Sequence, residues 1–179
     1  MNKPSANFNP YGVQASYNQQ INRALYNVCG QLTDAQLNED RGAFFGSILL
    51  TLNHIMIVDT YWFYQCSKDK TQVALADWQG NWVSAKTHKP MLTQDFTLLT
   101  KWRKELDERI VAYINGLTPA VLESRLPSRA ATGEPVEYPF QHILMHWFNH
   151  QVHHRGQVTT LLSQMGVDYG DTDLLMFDV

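Results

Sequence analysis

Apolar side chains recur at intervals of three and four residues in four long segments of the chain, the spacing that places them on one face of a helix. The first segment begins at Pro10, where Asn9 can cap a helix and proline fits the first turn. Its apolar stripe continues to Leu32. The pattern therefore predicts four amphipathic helices, the other three covering residues 43–65, 93–117 and 140–164.

The apolar stripe of each helix predicts which face is buried. In the second helix the stripe begins at Phe44 and continues through Ile48 to Trp62. The third helix follows Thr93, a residue type that caps helix N-termini. Its charged residues are expected to face water. They are Lys101, Arg103, Lys104, Glu105, Asp107 and Glu108.

Two shorter helical turns are predicted between the long helices. Thr33 and Gln36 have the spacing of a capping box, in which each side chain bonds to the backbone of the other residue. Thr118 followed by Pro119 starts a second short turn. Both turns lie where the long apolar stripes are interrupted.

Two segments between the long helices are predicted to be loops. Residues 67–90 are polar and contain Gly80 and Pro90, which predicts a long loop. Residues 127–139 contain three prolines and a glycine, which predicts a loop with room for a small hairpin. The whole pattern predicts one all-α domain over residues 1–179, a four-helix bundle with short extra helices and a long connecting loop.

Composition narrows the possible partners. A formal net charge of -3 gives no basic field for nucleic acid binding, so a nucleic acid partner is not expected. No apolar run reaches the roughly 20 residues of a membrane span, so no membrane partner is expected. Cys29 and Cys66 lack a CxxC neighbour, and a reducing cytoplasm is the expected location.

Three histidines are the candidate chemical group. His150 and His154 stand four residues apart on the apolar stripe of the fourth helix, and His54 lies in the second helix. Imidazoles at this spacing share a helix face and can bind one divalent ion together. His146 is an alternative, because it stands four residues before His150 and a His146/His150 pair would leave His154 as a supporting group.

A single helical histidine is more often an ordinary hydrogen-bonded core residue than a metal ligand. Several core-facing imidazoles are different, because without a metal they leave ring nitrogens that need partners. Three neutral imidazoles suit one late divalent ion, with nickel or zinc favoured, which lowers the pKa of a bound water or thiol.

Other polar and aromatic residues lie close to these histidines in the sequence. Asp59 and Asn149 flank them along the helices, although a surface or capping role is the more common one for such residues. Arg155 is a candidate to orient an anionic substrate, and a solvated position on the surface is the alternative. The residues that are candidates to support the ligands or wall a pocket are Asn53, Gln157, Trp62, Trp147 and Arg155.

Three stretches of the sequence resemble the DinB family, named for damage-inducible proteins, within the DinB/YfiT-like superfamily. They are RGAFFGSILLTLNHIMIVDTYWF, HWFNHQVHHRGQVTTLL and the terminal DTDLL. The resemblance implies a four-helix bundle, a homodimer, and a divalent metal held by one histidine of helix two and an HxxxH pair of helix four. In this sequence those positions are His54, His150 and His154.

Relatives in that superfamily include transferases and isomerases that use bacillithiol, mycothiol or glutathione. The resemblance therefore implies a metal-dependent enzyme that transfers a low-molecular-weight thiol to a small-molecule electrophile in stress or detoxification. Two alternatives are a metal-dependent hydrolase and a non-catalytic metal-binding stress protein whose ion joins helix two to helix four.

Overall fold

The computed structural model describes residues 9–67, 91–129 and 134–179, so most of the predicted loop at 67–90 lies outside the described residues. The predicted all-α bundle is confirmed. Its four long helices are α1 (Pro10–Cys29), α3 (Ile48–Ser67), α4 (Phe96–Asn115) and α6 (Phe140–Gln164). The shorter elements are α2 (Asp34–Asn38), α5 (Pro119–Leu122) and the strands β1 (Arg125–Arg129) and β2 (Pro135–Pro139), with a 3-10 turn at Leu174–Met176.

The predicted caps of α1, α2 and α5 are confirmed. The Asn9 side chain accepts a hydrogen bond from the Gly12 backbone N–H at 3.0 Å. Thr33 and Gln36 form the reciprocal capping box, and the Thr118 side chain caps α5. Each cap satisfies backbone N–H groups that the first turn of a helix leaves without partners.

The second long helix begins at Ile48, later than predicted, because a glycine turn precedes it. Gly42 and Gly46 have φ angles of 75° and 85°, a conformation that interrupts a helix and that residues with a Cβ rarely adopt. Phe44 lies in this turn and is 76% exposed, so its predicted place in the core is wrong. The next side chain, Phe45, is buried instead.

Two other boundaries differ from the predictions. Asp95, not Thr93, caps α4 by accepting from the Leu98 N–H at 3.1 Å, while the Thr93 hydroxyl accepts from the Asp95 N–H. The predicted loop at 127–139 contains an antiparallel strand pair, with Arg125 opposite Pro139. Paired strands satisfy the backbone groups of this proline-rich segment, and β2 leads directly into α6.

Neighbouring helices in the bundle follow the order α1, α4, α3, α6. α3 and α6 run antiparallel, since His54 lies opposite His150 and Asp59, further along α3, lies opposite Trp147. α1 and α4 are antiparallel as well. The contacts that show this join Asn22 to Asp107 and Tyr26 to Phe96.

The remaining two pairs of neighbours run parallel. Tyr11 bonds to Gln141 at the start of α1 and α6, and Arg155 bonds to Asn18 further along both helices. α3 and α4 also run the same way, as Asp59 meets Arg103 and Cys66 meets Tyr113.

Among the helices of the described ranges, none combines the length and apolar composition that a bilayer crossing requires.

A buried ion-pair network lies inside the bundle, where the sequence pattern predicted solvent-exposed charges. The Arg103 guanidinium donates to Asp59 and, at 2.7 Å, to Asp107. All three side chains are buried, so the prediction that Arg103 and Asp107 face water is wrong. Trp147 of α6 completes the cluster by donating from its indole N–H to Asp59 at 2.9 Å.

The network extends to α1 through side-chain amides. Asn22 donates to Asp107 and to Gln151, each at 3.2 Å, and Arg155 donates to Gln151 at 2.9 Å. Burial raises the pKa of Asp59 and of Asp107, and the Arg103 guanidinium opposes both shifts. The charges are therefore stable in the core only as a set that includes the arginine.

The Asp59→Ala variant should be strongly destabilised. It leaves the Arg103 charge with one carboxylate instead of two and removes the acceptor of the Trp147 N–H. Removing one partner of a buried ion pair costs about 3–5 kcal/mol. Urea denaturation of Asp59→Ala and of the unchanged protein measures this loss as a difference in the free energy of unfolding.

The matched control is Glu137→Ala, since the Glu137–Arg125 pair is 3.7 Å apart and both side chains are more than half exposed. This change should cost under about 1 kcal/mol. Equal losses of stability in the two variants would show that the buried network has no special structural role.

Candidate metal centre

Three histidines from two helices meet between α3 and α6. His54 comes from α3, and His150 and His154 stand one turn apart on α6. One ring nitrogen of each lies within 4.8 Å of the others, and the Nε2 atoms of His54 and His150 are 3.1 Å apart. We call these three residues the histidine group.

The bundle places the group through the antiparallel contact of α3 with α6. Residues four apart on α6 share a face, so both of its histidines point towards α3. The hydrogen bond between Asp59 and Trp147 lies about one turn away from His54 and from His150. The same bond that joins the two helices therefore fixes which histidines face each other.

Burial keeps these imidazoles uncharged near neutral pH. It lowers the pKa of His54 to about 4 and of His150 to about 3, with a further contribution from the neighbouring His154. Burial also lowers the pKa of His154. An uncharged imidazole has a nitrogen lone pair available, which is the form that binds metal ions.

Gln157 determines the orientation of His154. Its amide Oε1 lies 2.8 Å from Nδ1 of His154. Because this oxygen can only accept, Nδ1 carries the proton and the lone pair of His154 is on Nε2. Gln157, a residue that the sequence singled out, thus acts as the outer partner that metal-binding histidines usually have.

The histidine group fits a divalent cation. Nδ1 of His54 and Nδ1 of His150 are buried and lack a hydrogen-bond partner among residues 9–67, 91–129 and 134–179. The two Nε2 atoms are 3.1 Å apart and share a hydrogen bond when one of them carries the proton; when both rings are protonated on Nδ1 instead, their Nε2 lone pairs face each other. Two lone pairs at this distance repel, and a cation between them removes the repulsion.

Phe45 covers one side of the group, and the sequence reading did not identify it. Its ring stacks on His54 with centroids 4.1 Å apart and an angle of 27° between the ring planes. It also lies 5.5 Å from the ring of His154. The signal in the sequence is the pair of glycines that form the turn, Gly42 and Gly46, because they place Phe45 inward before α3 begins.

Two of the predicted supporting residues have structural roles instead. Asn53 accepts from the backbone N–H groups of Leu92 and Thr93 and so attaches the segment before α4 to α3. Trp147 is fully buried and bonds to Asp59, so it forms core rather than a pocket wall. Trp62, by contrast, is half-buried and packs edge-on against His146 at 5.5 Å.

Arg155 extends away from the histidine group, towards α1. It is 4% exposed, its guanidinium bonds to amide oxygens of Asn18 and Gln151, and it lies over the ring of Tyr17. It is therefore neither solvated nor placed to orient a substrate at the histidine group. Asn149 is exposed on α6.

His146 is outside the group of nearby ring nitrogens. It is exposed, and its ring centroid lies 6.3 Å from that of His150, compared with 4.3 Å between His150 and His154. The geometry thus favours the set of His54, His150 and His154 over a His146/His150 pair.

The sequence matches the profile of the DinB family over residues 4–178, nearly the whole chain. The chain belongs to the DinB family. Among curated proteins, none has a sequence that matches it.

Two solved structures have a similar fold to this DinB family member. One is YfiT from Bacillus subtilis, described as a probable metal-dependent hydrolase with an unusual four-helix bundle topology; it is 17% identical, with a TM-score of 0.65 and 94% of each chain covered. The other is a DinB-like protein from Bacillus cereus ATCC 10987, 19% identical, with a TM-score of 0.58, 87% of this chain and 90% of that chain covered. At these identities the likeness concerns the fold.

Gln157→Ala should weaken binding of a divalent ion while leaving the three imidazoles in place. Loss of the hydrogen bond frees His154 to rotate and to change tautomer, and loss of such an outer partner costs about 10–100-fold in metal affinity. Competition against a chromophoric chelator measures the dissociation constant. Gln164→Ala is the control, because Gln164 is an exposed glutamine of the same helix; a similar loss of affinity in both variants would contradict the role of Gln157.

Proposed function

We propose that His54, His150 and His154 hold one divalent metal ion, and that the protein is a metal-dependent enzyme that transfers a low-molecular-weight thiol to a small electrophile in stress or detoxification. The observation that carries this proposal is the convergence of three uncharged, partly buried imidazoles within 4.8 Å. Three nitrogen ligands without a carboxylate favour a late divalent ion such as nickel or zinc.

When bound, such an ion lowers the pKa of a coordinated thiol or water. The side chains around it have separate tasks. Gln157 holds His154 in the tautomer that leaves Nε2 free, and Phe45 shields the face of the His54 ring from water. Both side chains therefore contact the histidine group directly.

Two cavities border α6 at residues next to the histidine group in the sequence, which favours a reaction of two substrates. One, of about 320 Å³, is bordered by Arg41, His153 and Gln157. The other, of about 650 Å³, is bordered by Trp62 and His146. Glutathione and bacillithiol carry carboxylates, for which Arg41 of the smaller cavity, now paired with Glu39, is a cationic partner. The larger cavity is then available for the electrophile.

Two other functions remain as alternatives. Metal-dependent hydrolysis is suggested by the description of YfiT, the structural neighbour. A non-catalytic role is suggested by the position of the histidine group, because an ion there would join α3 to α6 and stabilise the bundle. Thiol dependence of turnover separates the first two functions, and absence of turnover favours the third.

Replacing His54 or His154 by alanine should remove the metal. Elemental analysis of the purified, untagged protein should find about one nickel or zinc ion per chain, and each of these variants should lose it, since two imidazoles bind a divalent ion far more weakly than three. His146→Ala and His153→Ala are the controls, because both residues are exposed histidines of α6 outside the group. Full metal retention in His54→Ala and His154→Ala would refute the assignment.

The unchanged protein, His54→Ala and His154→Ala test the reaction. Each receives bacillithiol, mycothiol or glutathione together with chlorodinitrobenzene, whose aromatic carbon forms a bond to sulfur as chloride leaves and the thiol proton passes to water. The proposal requires turnover that depends on the thiol, follows the metal content and disappears in His54→Ala. Thiol-independent cleavage of an activated ester would instead support the hydrolase.

We also propose that the protein is a cytoplasmic homodimer. Cys29 and Cys66 are not joined in a disulfide, which suits a reducing compartment. Leu175 and Met176 in the C-terminal 3-10 turn are 92% and 67% exposed, and apolar residues exposed to this extent often contact a second chain. Light scattering should give twice the chain mass, which Leu175→Ser should reduce to that of a monomer. A monomer mass for the unchanged protein would exclude the dimer.

A further inference from the structure

The 650 Å³ cavity bordered by Trp62 and His146 is formed by four elements, α3, β1, β2 and α6. Its size falls within the roughly 300–1,000 Å³ of sites that enclose small organic molecules. The strand pair β1–β2 contributes to it, which gives this small sheet a role beyond leading the chain into α6. The residues that border the cavity include Tyr61 and Trp62 of α3, Ser128 and Tyr138 of the strand pair, and His142 and His146 of α6.

Aromatic rings form much of the cavity wall, and they contact each other edge to face. Tyr61 and Trp62 have centroids 5.1 Å apart with ring planes at 73°. Trp62 and His146 are 5.5 Å apart at 75°. Such contacts are favourable between aromatic rings and hold the wall in a defined shape. The cavity therefore offers flat ring faces and edges to a ligand.

The lining contains polar groups but no formal acid, lysine or arginine among the residues that the structure describes there. Hydroxyl groups come from Tyr61, Ser128 and Tyr138, and ring nitrogens come from His142 and His146. A carboxylate or ammonium group of a ligand would lose its hydration without meeting a lysine, arginine or acidic side chain of this lining, whereas an uncharged polar group can form hydrogen bonds there. The chemistry of the lining thus selects an uncharged ligand.

His146 connects the cavity to the histidine group. It borders the cavity, stands one turn before His150 on α6, and its ring centroid lies 6.3 Å from that of His150. The cavity therefore lies about one turn of α6 away from His150.

We propose that this cavity binds the uncharged aromatic part of a small molecule. The role of that molecule as the electrophilic substrate rests on the proposed function, but the binding itself does not. Trp62 and Tyr138 stack against the ligand ring, and the hydroxyl and imidazole groups bond to its polar substituent.

Three matched probes test the proposal by isothermal titration calorimetry on the full-length protein, with and without metal. β-Naphthol is aromatic and uncharged, β-naphthoate has the same rings with a negative charge, and decalol is the saturated analogue. β-Naphthol should bind at one site per chain. β-Naphthoate and decalol should each bind at least about tenfold more weakly than β-naphthol.

Two variants from different elements locate the site. Trp62→Ala removes a ring face and should weaken β-naphthol binding about tenfold. Ser128→Trp fills the cavity from the opposite side and should abolish binding of β-naphthol. Because the two changes lie in different elements, one variant still tests the site if the other folds poorly. Met145→Ala is the control, since Met145 is 55% exposed on α6 but does not border the cavity, and its affinity should be unchanged.

The outcomes separate this proposal from the proposed function. Binding of β-naphthol to protein that holds no metal would support the cavity and count against the enzyme. Normal metal content without β-naphthol binding, equal binding of β-naphthoate or decalol, or unchanged affinity in folded Trp62→Ala and Ser128→Trp would overturn the cavity proposal alone.

Discussion

The buried ion pair of Arg103 with Asp59 and Asp107 is the interaction on which the rest of the structure depends. A guanidinium in an apolar core needs compensation by opposite charge, and its two carboxylates come from α3 and from α4 itself. Because Asp59 also accepts from Trp147 of α6, and Asp107 from Asn22 of α1, one charged cluster fixes the relative positions of all four long helices. The register of α3 against α6, and with it the meeting of the three histidines, follows from this cluster.

Periodicity and caps in the sequence predicted the helices well, because each of these signals is local. The caps at Asn9, at Thr33 with Gln36, and at Thr118 satisfy backbone groups within three residues of themselves, so none of the three depends on distant parts of the chain. The two histidines of α6 were predictable for the same reason, since spacing of four defines a shared helix face. Their binding of a metal stays a prediction. The glycine turn before α3 was missed because the apolar pattern continues through Phe44, and periodicity does not report a positive φ.

The remaining errors concern residues whose environment is created by distant parts of the chain. Arg103 and Asp107 belong by sequence to a run of charges typical of a solvated helix face, and only Asp59 and Asn22 on other helices make their burial tolerable. Arg155 is similar, because its partners Asn18 and Asn22 lie on α1, more than a hundred residues earlier. Trp62 and Tyr138 form one cavity wall although they belong to different elements. In each case the identity of the partner depends on tertiary structure.

The directions of the helices have an electrostatic consequence. The pairs with the most extensive contacts, α1 with α4 and α3 with α6, are antiparallel, so their macrodipoles oppose each other, while the parallel pairs make fewer contacts. The field of a helix dipole acts mainly within its first and last turns. His54 and His150 lie well inside α3 and α6, beyond the reach of these end charges. The reactivity of anything bound there is therefore governed by nearby side chains such as Phe45 and Gln157, and not by the ends of the helices.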